Sequence, residues 1–198
     1  MMKFGIGNLH QFYRIHSQSN RSLFRWLNGR FNYVDDDKIR DLGPERAAAE
    51  WLIRNGAKVV WSKRPDQLYS DYDAIVNDDT DERKYEKDTI IAIDATGSSI
   101  NHVGFPYLKN LKNLRKIIFN ETEFLDNQAL KLLKEFQIDL KHLEIIKCFD
   151  ITDGGILFLK DLRSLEFLKL EQLDSVKNRQ YCYDILKNSL DSCKIVWN

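Results

Sequence analysis

The feature that most constrains the fold is a repeat of about 25–26 residues in the second half of the chain. The segment LKHLEIIKCFDITDGGILFL (140–159) has the spacing L-x-x-L-x-L-x-x-C-x-x-I-T-D-x-x-I, and similar segments begin at Asp88, Leu114 and Leu165. In each unit the pattern predicts a strand, a tight corner and then a helix. One unit cannot bury its own apolar face, so we expect stacked units. The sequence predicts an α/β leucine-rich-repeat solenoid of about four repeats.

The repeat places one residue at each corner, and Cys148 is one of them. This position helps to decide whether Cys148 is a nucleophile or a structural residue. The aligned corner residues are Thr96, Thr122, Cys148 and Leu173. A cysteine nucleophile needs a nearby base, and His142 is predicted to lie on the side of its strand opposite the core. We therefore interpret Cys148 as a buried corner residue that packs as a small hydrophobe.

Alternation along each predicted strand leaves every second side chain on the sheet face that points away from the core. On this face apolar residues are mixed with charged ones, which is typical of a protein-binding surface, although scattered apolar residues are also common on ordinary surfaces. The predicted partner-binding residues are Ile90, Ala92, Asp94, Lys116, Ile118, Asn120, His142, Glu144, Ile146, Phe167, Lys169 and Glu171.

The segment before the repeats predicts a helix that would cap the solenoid. In PERAAAEWLIRNG (44–56), Pro44 suits the first helical position and Gly56 suits a left-handed residue just past the end. AKVVW is expected to follow as a short strand, and the polar residues 62–88 as a loop. The predicted organisation is a presequence at 1–30, an N-terminal helical capping domain at 31–87, and repeats with a C-terminal cap at 88–198.

Charge is distributed unevenly along the chain. The 30 basic and 30 acidic residues cancel, which argues against a general nucleic-acid-binding protein. Residues 1–34 nevertheless contain five basic residues and no acidic one, a composition typical of a mitochondrial transit peptide, with a basic arm as the alternative. No apolar run reaches the roughly 18 residues that a transmembrane helix needs.

Nothing in the sequence predicts catalysis. The three cysteines show no C-x-x-C spacing, so neither a disulfide framework nor a zinc site is expected. Residues 94–100, DATGSSI, lack the Gly-x-x-x-x-Gly-Lys arrangement of a phosphate-binding loop. No paired general acid and base is apparent, so we expect a non-enzymatic protein without a small-molecule substrate.

Three stretches resemble a known family. They are WLNGRFNYVDDDKIRDLGPERAAAEWLIRNGAKV (26–59), IIAIDAT (90–96) and ITDGGI (151–156). Together they are similar to the family of subunit s of the mitochondrial ATP synthase, also called coupling factor B. A related group in that family resembles assembly factors for the distal membrane arm of respiratory complex I.

The resemblance implies a mitochondrial protein on the matrix side of the inner membrane, peripheral to it and non-enzymatic. It implies a role in proton conduction coupled to ATP synthesis, through binding to membrane-sector (Fo) subunits. It also implies a Mg²⁺ ion between the N-terminal domain and the first repeat, with Gly56 and Thr96 at the matching positions. A C-x-C dithiol of mammalian members aligns with Asn120 and Thr122, so thiol chemistry is not expected here.

Two alternatives stay open at this point. The first is an assembly factor for the membrane arm of respiratory complex I. The second is a leucine-rich-repeat substrate receptor of a ubiquitin ligase, which needs a leucine-rich F-box segment before the repeats. The alanine-rich PERAAAEWLI helix does not resemble one.

Overall fold

The computed structural model describes residues 28–76, 88–136 and 138–198, and a seven-stranded mixed sheet runs through this part of the chain. The strand order is β2-β1-β3-β4-β5-β6-β7; β1 is antiparallel to both of its neighbours, and β3 to β7 are parallel. The strands are β1 (Lys58–Trp61), β2 (Arg64–Tyr69), β3 (Ile90–Asp94), β4 (Lys116–Asn120), β5 (His142–Ile146), β6 (Phe167–Glu171) and β7 (Lys194–Trp197). Most of the predicted presequence, residues 1–27, lies outside the described residues.

Two helices precede β1 and the others lie between strands, and they share one core with the sheet. They are α1 (Asp36–Leu42), α2 (Pro44–Arg54), α3 (Tyr72–Val76), α4 (Asn127–Glu135), α5 (Asp153–Phe158) and α6 (Arg179–Ser189), with 3₁₀ helices at His102–Leu108 and Leu159–Asp161. In β4, β5 and β6 every second residue is buried against this core, and the residues between are half-buried on the other face. Of the helices described, none is both long enough and apolar enough to cross a bilayer.

A residue in the left-handed conformation follows each of four parallel strands, β3 to β6, and marks the same point in each unit. Glu121, Lys147 and Gln172 have φ of 54°, 52° and 51°, and Gly97 has φ of 65°. The backbone N–H of Gly97 donates to Asn120 O at 2.8 Å, and Glu121 and Lys147 donate to the matching carbonyls of the next strand at 2.9 and 3.0 Å. In each case the following residue turns into the core. The buried corner residues are Ser98, Thr122, Cys148 and Leu173.

The first unit is two residues shorter than the repeat predicts. Ala92 pairs with Lys116, whereas Lys116, His142 and Phe167 lie side by side on β4, β5 and β6 with the predicted spacing. The assignment of Thr96 to the first corner is therefore wrong: Thr96 is exposed, and Ser98 takes that place. The sequence misleads because β3 buries both Ile90 and Ile93, which breaks the alternation of buried and outward residues.

The region before the repeats contains more structure than expected. The helix begins at Pro44, Gly56 follows its end with φ of 88°, and AKVVW contributes β1, all as predicted. Residues 62–88 are not simply a loop, because they contain β2 and α3. Both β1 and β2 extend the sheet of parallel strands β3 to β7, and the proposed domain boundaries stay predictions.

Polar side chains tie the helix N-termini of successive units together. Asn127 Oδ1 accepts from Thr152 N at 3.0 Å, and Asn127 Nδ2 donates to Thr152 Oγ1 at 2.8 Å. In the next unit the Asp153 carboxylate accepts from Asn178 Nδ2 at 2.9 Å and from backbone N–H groups, which lowers the pKa of Asp153. A Cβ at Gly155 would lie 2.2 Å from Asn127 Oδ1. The Asn127–Thr152 contact therefore explains why the second glycine of ITDGGI has no side chain.

The left-handed turns give a matched pair of stability predictions. We expect Gln172→Gly to raise the free energy of unfolding by about 1 kcal/mol, because glycine relieves the Cβ strain at positive φ. Gly97→Ala should lower it by about 1 kcal/mol, since open space surrounds the new methyl group and backbone strain alone acts. Urea unfolding of both variants measures this, and a destabilised Gln172→Gly protein would contradict it.

Candidate functional site

The outward face of the sheet carries eleven of the twelve predicted partner-binding residues. We define the outward face by its cross-strand rows. The first row is Leu68, Val60, Ala92, Lys116, His142, Phe167 and Lys194; the second is Lys58, Asp94, Ile118, Glu144, Lys169 and Val196; the third is Asn120, Ile146 and Glu171. Sequence reasoning missed the members from β1, β2 and β7, because these strands lack the repeat pattern. Whether the face binds a partner stays a prediction at this stage.

Ile90 is the predicted residue that does not belong to this face. Its side chain is 0% exposed and packs in the core, so its placement on the outward face is wrong. The cause is a register shift between Val60 and Trp61, which puts Trp61 opposite Ile90. The shift turns both residues, which lie at the same end of the strand pair, toward the core.

Polar groups at the centre of the outward face are paired with one another. His142 Nε2 lies 2.7 Å from Glu144 Oε1, and the His142 ring stacks on Phe167 with centroids 4.5 Å apart and planes at 21°. Lys169 Nζ lies 2.7 Å from Glu171 Oε2, and this hydrogen bond raises the pKa of Lys169. The centre therefore presents polar groups that are held in fixed orientations by hydrogen bonds to one another.

Gly56 and Thr96, the predicted Mg²⁺ residues, lie in neighbouring turns. A Cβ at Gly56 would lie 3.8 Å from Ser98 Cα, so the end of α2 contacts the turn after β3. In that turn the Thr96 N–H donates to Asp94 Oδ1 at 3.0 Å. The Ser98 hydroxyl is buried and has no hydrogen-bond partner among the described residues.

The donors at these turns are oxygens of the kind that Mg²⁺ prefers: backbone carbonyls, hydroxyls and one carboxylate. No cluster of three or more His, Cys, Asp or Glu side chains occurs within the described ranges. A cation here would therefore be held mainly by backbone and hydroxyl oxygens. The residues present fit the implied ion, and whether it binds stays a proposal.

A buried amide holds the chain before α1 against the same region. Asn32 is 0% exposed, and its Oδ1 accepts from Trp51 Nε1 at 3.0 Å and from Asn101 N at 3.1 Å. Its Nδ2 donates to Asn28 O at 2.9 Å and to Ser99 O at 3.1 Å. One side chain thus joins residues 28–32, helix α2 and the loop after β3, a role that the sequence did not reveal.

All three cysteines are free and buried, as predicted. Cys148 Sγ donates to Ile146 O at 3.4 Å, and burial raises the pKa of the Cys148 thiol to about 11. Burial also raises the pKa of Cys182 and of Cys193. Because the thiolate is the reactive species, all three are poor nucleophiles at neutral pH.

The fold and the outward face define an α/β protein of parallel strand–turn–helix units with half of each strand facing solvent. No protein-family model matches the chain. The Mus musculus protein named ATP synthase subunit s, mitochondrial, is 35% identical over 185 residues, which cover 92% of this chain and 90% of that protein. The Bos taurus and Homo sapiens proteins of the same name are each 35% identical over 182 residues, covering 90% of this chain and 88% of theirs. The chain therefore belongs to the mitochondrial ATP synthase subunit s family, which confirms the resemblance.

Glu45 at the start of α2 gives a pH prediction. Its Oε2 accepts from Ile90 N at 2.8 Å, and desolvation, helped by nearby Asp88, raises the pKa of Glu45 to about 7 from 4.5. Between these pH values the folded protein holds a proton that the unfolded chain has lost, so stability falls as pH rises through about 7.

We expect Glu45→Gln, which stays neutral and keeps an acceptor for Ile90 N, to match the wild-type melting temperature near pH 5. At pH 8 the variant should melt higher than the wild type. Thermal melts of both proteins at the two pH values test this. Parallel pH dependences in the two proteins would contradict it.

Proposed function

We propose that this protein is a non-enzymatic leucine-rich-repeat adaptor of the mitochondrial ATP synthase, which supports proton conduction and coupling by binding membrane-sector subunits. The observation that carries the proposal is family membership, since the relatives are named mitochondrial ATP synthase subunit s at 35% identity over about nine tenths of the chain. It associates peripherally with the matrix side of the inner membrane. The acid-free basic segment at residues 1–34 supports import into mitochondria.

The strand–turn–helix units support the solenoid part of this proposal. The offsets between paired positions of successive strands, about 24–26 residues, fall within the range of leucine-rich repeats, about 20–29 residues. In such solenoids each unit contacts mainly its neighbours, and the strands line an extended binding surface. The outward face is the corresponding surface here.

The outward face suits an adaptor because its side chains project from a rigid sheet. Ile118, Ile146 and Phe167 are half-buried on this face, each between polar or charged cross-strand neighbours. Apolar anchors within a polar surround are typical of protein interfaces. We therefore place the contact with the synthase on this face.

The binding test replaces all three anchors with aspartate. Ile118→Asp, Ile146→Asp and Phe167→Asp together should abolish co-purification with detergent-solubilised ATP synthase, because charges would be buried in the interface. The expected melting temperature is close to that of the wild type. A triple variant that still co-purifies with the synthase would exclude this face.

The control is a triple aspartate variant at exposed aromatic residues elsewhere: Phe31, Phe149 and Tyr181, which are 58%, 55% and 58% exposed. This variant should co-purify like the wild type. Recovery of respiratory complex I subunits in place of synthase subunits would overturn the proposed function in favour of the assembly role. The subunits are identified by mass spectrometry of a mild-detergent pull-down from mitochondria.

We further propose that Gly56 and Thr96 hold Mg²⁺, with Asp94 and Ser98 in the same turn as further oxygen donors. Bound Mg²⁺ would join the end of α2 to the turn after β3. At ten times its dissociation constant it should stabilise the fold by about 1.4 kcal/mol.

Melting curves in MgCl₂ and in NaCl of equal ionic strength measure the Mg²⁺ effect. Thr96→Ala with Asp94→Asn should remove the shift, whereas Asp191→Asn, an exposed control with the same charge change as Asp94→Asn, should retain it. Equal shifts in all three proteins would show that Mg²⁺ acts elsewhere.

A further inference from the structure

The first row of the outward face contains an aromatic pair between two lysines. Register places Lys116, His142, Phe167 and Lys194 side by side on four adjacent strands. Neighbouring strands lie about 4.8 Å apart, so the two lysine Cα atoms are about 14 Å apart. The stacked rings of His142 and Phe167 occupy the space between.

The charges of these two lysines are not compensated by the rest of the face. Among the residues that the structure describes, neither Lys116 nor Lys194 forms an ion pair. The three carboxylates of the outward face have other partners: Asp94 accepts from Thr96 N, Glu144 contacts His142, and Glu171 pairs with Lys169. The row therefore has an unpaired lysine at each end and an aromatic centre.

The His142–Glu144 contact also fixes the orientation of the His142 ring at the centre of the row. It holds the imidazole by its Nε2 atom, 2.7 Å from the carboxylate, so that the ring lies flat against Phe167 at 21°. Phe167 is half-buried, and stacking keeps both rings in one orientation without a ligand. A pre-oriented apolar surface loses little conformational entropy when a partner side chain packs on it.

We propose that this row binds an extended acidic segment of a partner protein, in which two carboxylates four residues apart flank one apolar residue. In an extended chain residues i, i+2 and i+4 point to the same side, and i to i+4 spans about 13–14 Å. The carboxylates then reach Lys116 and Lys194 while the central apolar side chain packs on His142 and Phe167. This inference rests on the proposed function, because it names the partner chemistry of the same outward face.

A helical occupant fits the row less well. Residues on one side of a helix repeat at about 10.5 Å for i to i+7 and about 16.5 Å for i to i+11, and neither spacing matches the lysine separation. A basic segment is disfavoured because it would add like charge to both ends of the row. Charge and spacing together therefore favour the extended acidic segment.

The first experiment uses defined peptides and the full chain. Fluorescence anisotropy compares a labelled peptide with the core Glu-Thr-Phe-Thr-Glu with its Lys-Thr-Phe-Thr-Lys analogue and with an isomer whose two glutamates are adjacent. The first peptide should bind at least tenfold more tightly than either of the others. Equal binding of the acidic and basic peptides would overturn the proposal.

Variants locate the site. The double variant Lys116→Glu, Lys194→Glu should bind the acidic peptide at least tenfold more weakly than the wild type. Phe167→Ala should reduce the affinity to a smaller extent. Lys109→Glu with Lys160→Glu makes the same change in net charge at exposed lysines outside the outward face and should leave binding unchanged. An equal loss in both lysine pairs would show bulk electrostatics rather than a site and would overturn the proposal. Circular dichroism melts confirm that every variant is folded.

A second measurement separates this inference from the proposed function. Solubilised ATP synthase is tested for co-purification with the wild type and with both lysine-pair variants. If the wild type binds the acidic peptide but not the synthase, the proposed function fails and the peptide site stands. If the wild type binds the synthase, and the double variant Lys116→Glu, Lys194→Glu binds both the synthase and the peptide as the wild type does, the inference fails and the proposed function stands. A wild-type dimer that this variant dissociates would identify a second copy as the occupant and would also overturn the inference.

Discussion

Register between the parallel strands depends on one recurring hydrogen bond. At the end of a strand, a residue in the left-handed conformation donates its backbone N–H to the last carbonyl of the next strand, and the following residue turns into the core. This bond sets which residues of successive strands lie side by side. The alternation of buried and half-buried side chains, and hence the composition of the outward face, follows from it. Glu121 and Lys147 occupy two of these turns, and Gln172 has the same left-handed conformation after β6. Glycine would be less strained at all three positions, so the surrounding units must hold them in place.

Most of the architecture could be predicted because it is periodic. The pairing of Lys116 with His142 and of His142 with Phe167 follows directly from matching the aliphatic positions of successive units. Helix α2 could also be predicted, because Pro44 and Gly56 mark its two ends by backbone chemistry alone. Where local conformational preference and the pattern of burial agree, the sequence is sufficient to predict the position of an element.

The first unit could not be placed correctly because its strand, β3, pairs with two different kinds of neighbour. β3 pairs with an antiparallel strand on one side and a parallel strand on the other, and the register shift beside Trp61 buries Ile90. Aliphatic residues there match the repeat equally well at the wrong offset, and no local signal distinguishes the two. The same limit applies to Asn32, whose partners Trp51 and Asn101 are distant in the chain and leave no pattern in its own segment.

Half of the sheet's side chains contribute little to its core. Because turns, corners and helix ties hold the register, outward residues such as Lys116 or Phe167 can change with limited effect on folding. Selection can therefore alter what this surface recognises without first securing compensating changes in the interior. Two relatives with the same scaffold could diverge in partner while retaining nearly identical stability. Mutational tolerance, compared between alternate positions of one strand, would then report recognition and folding separately.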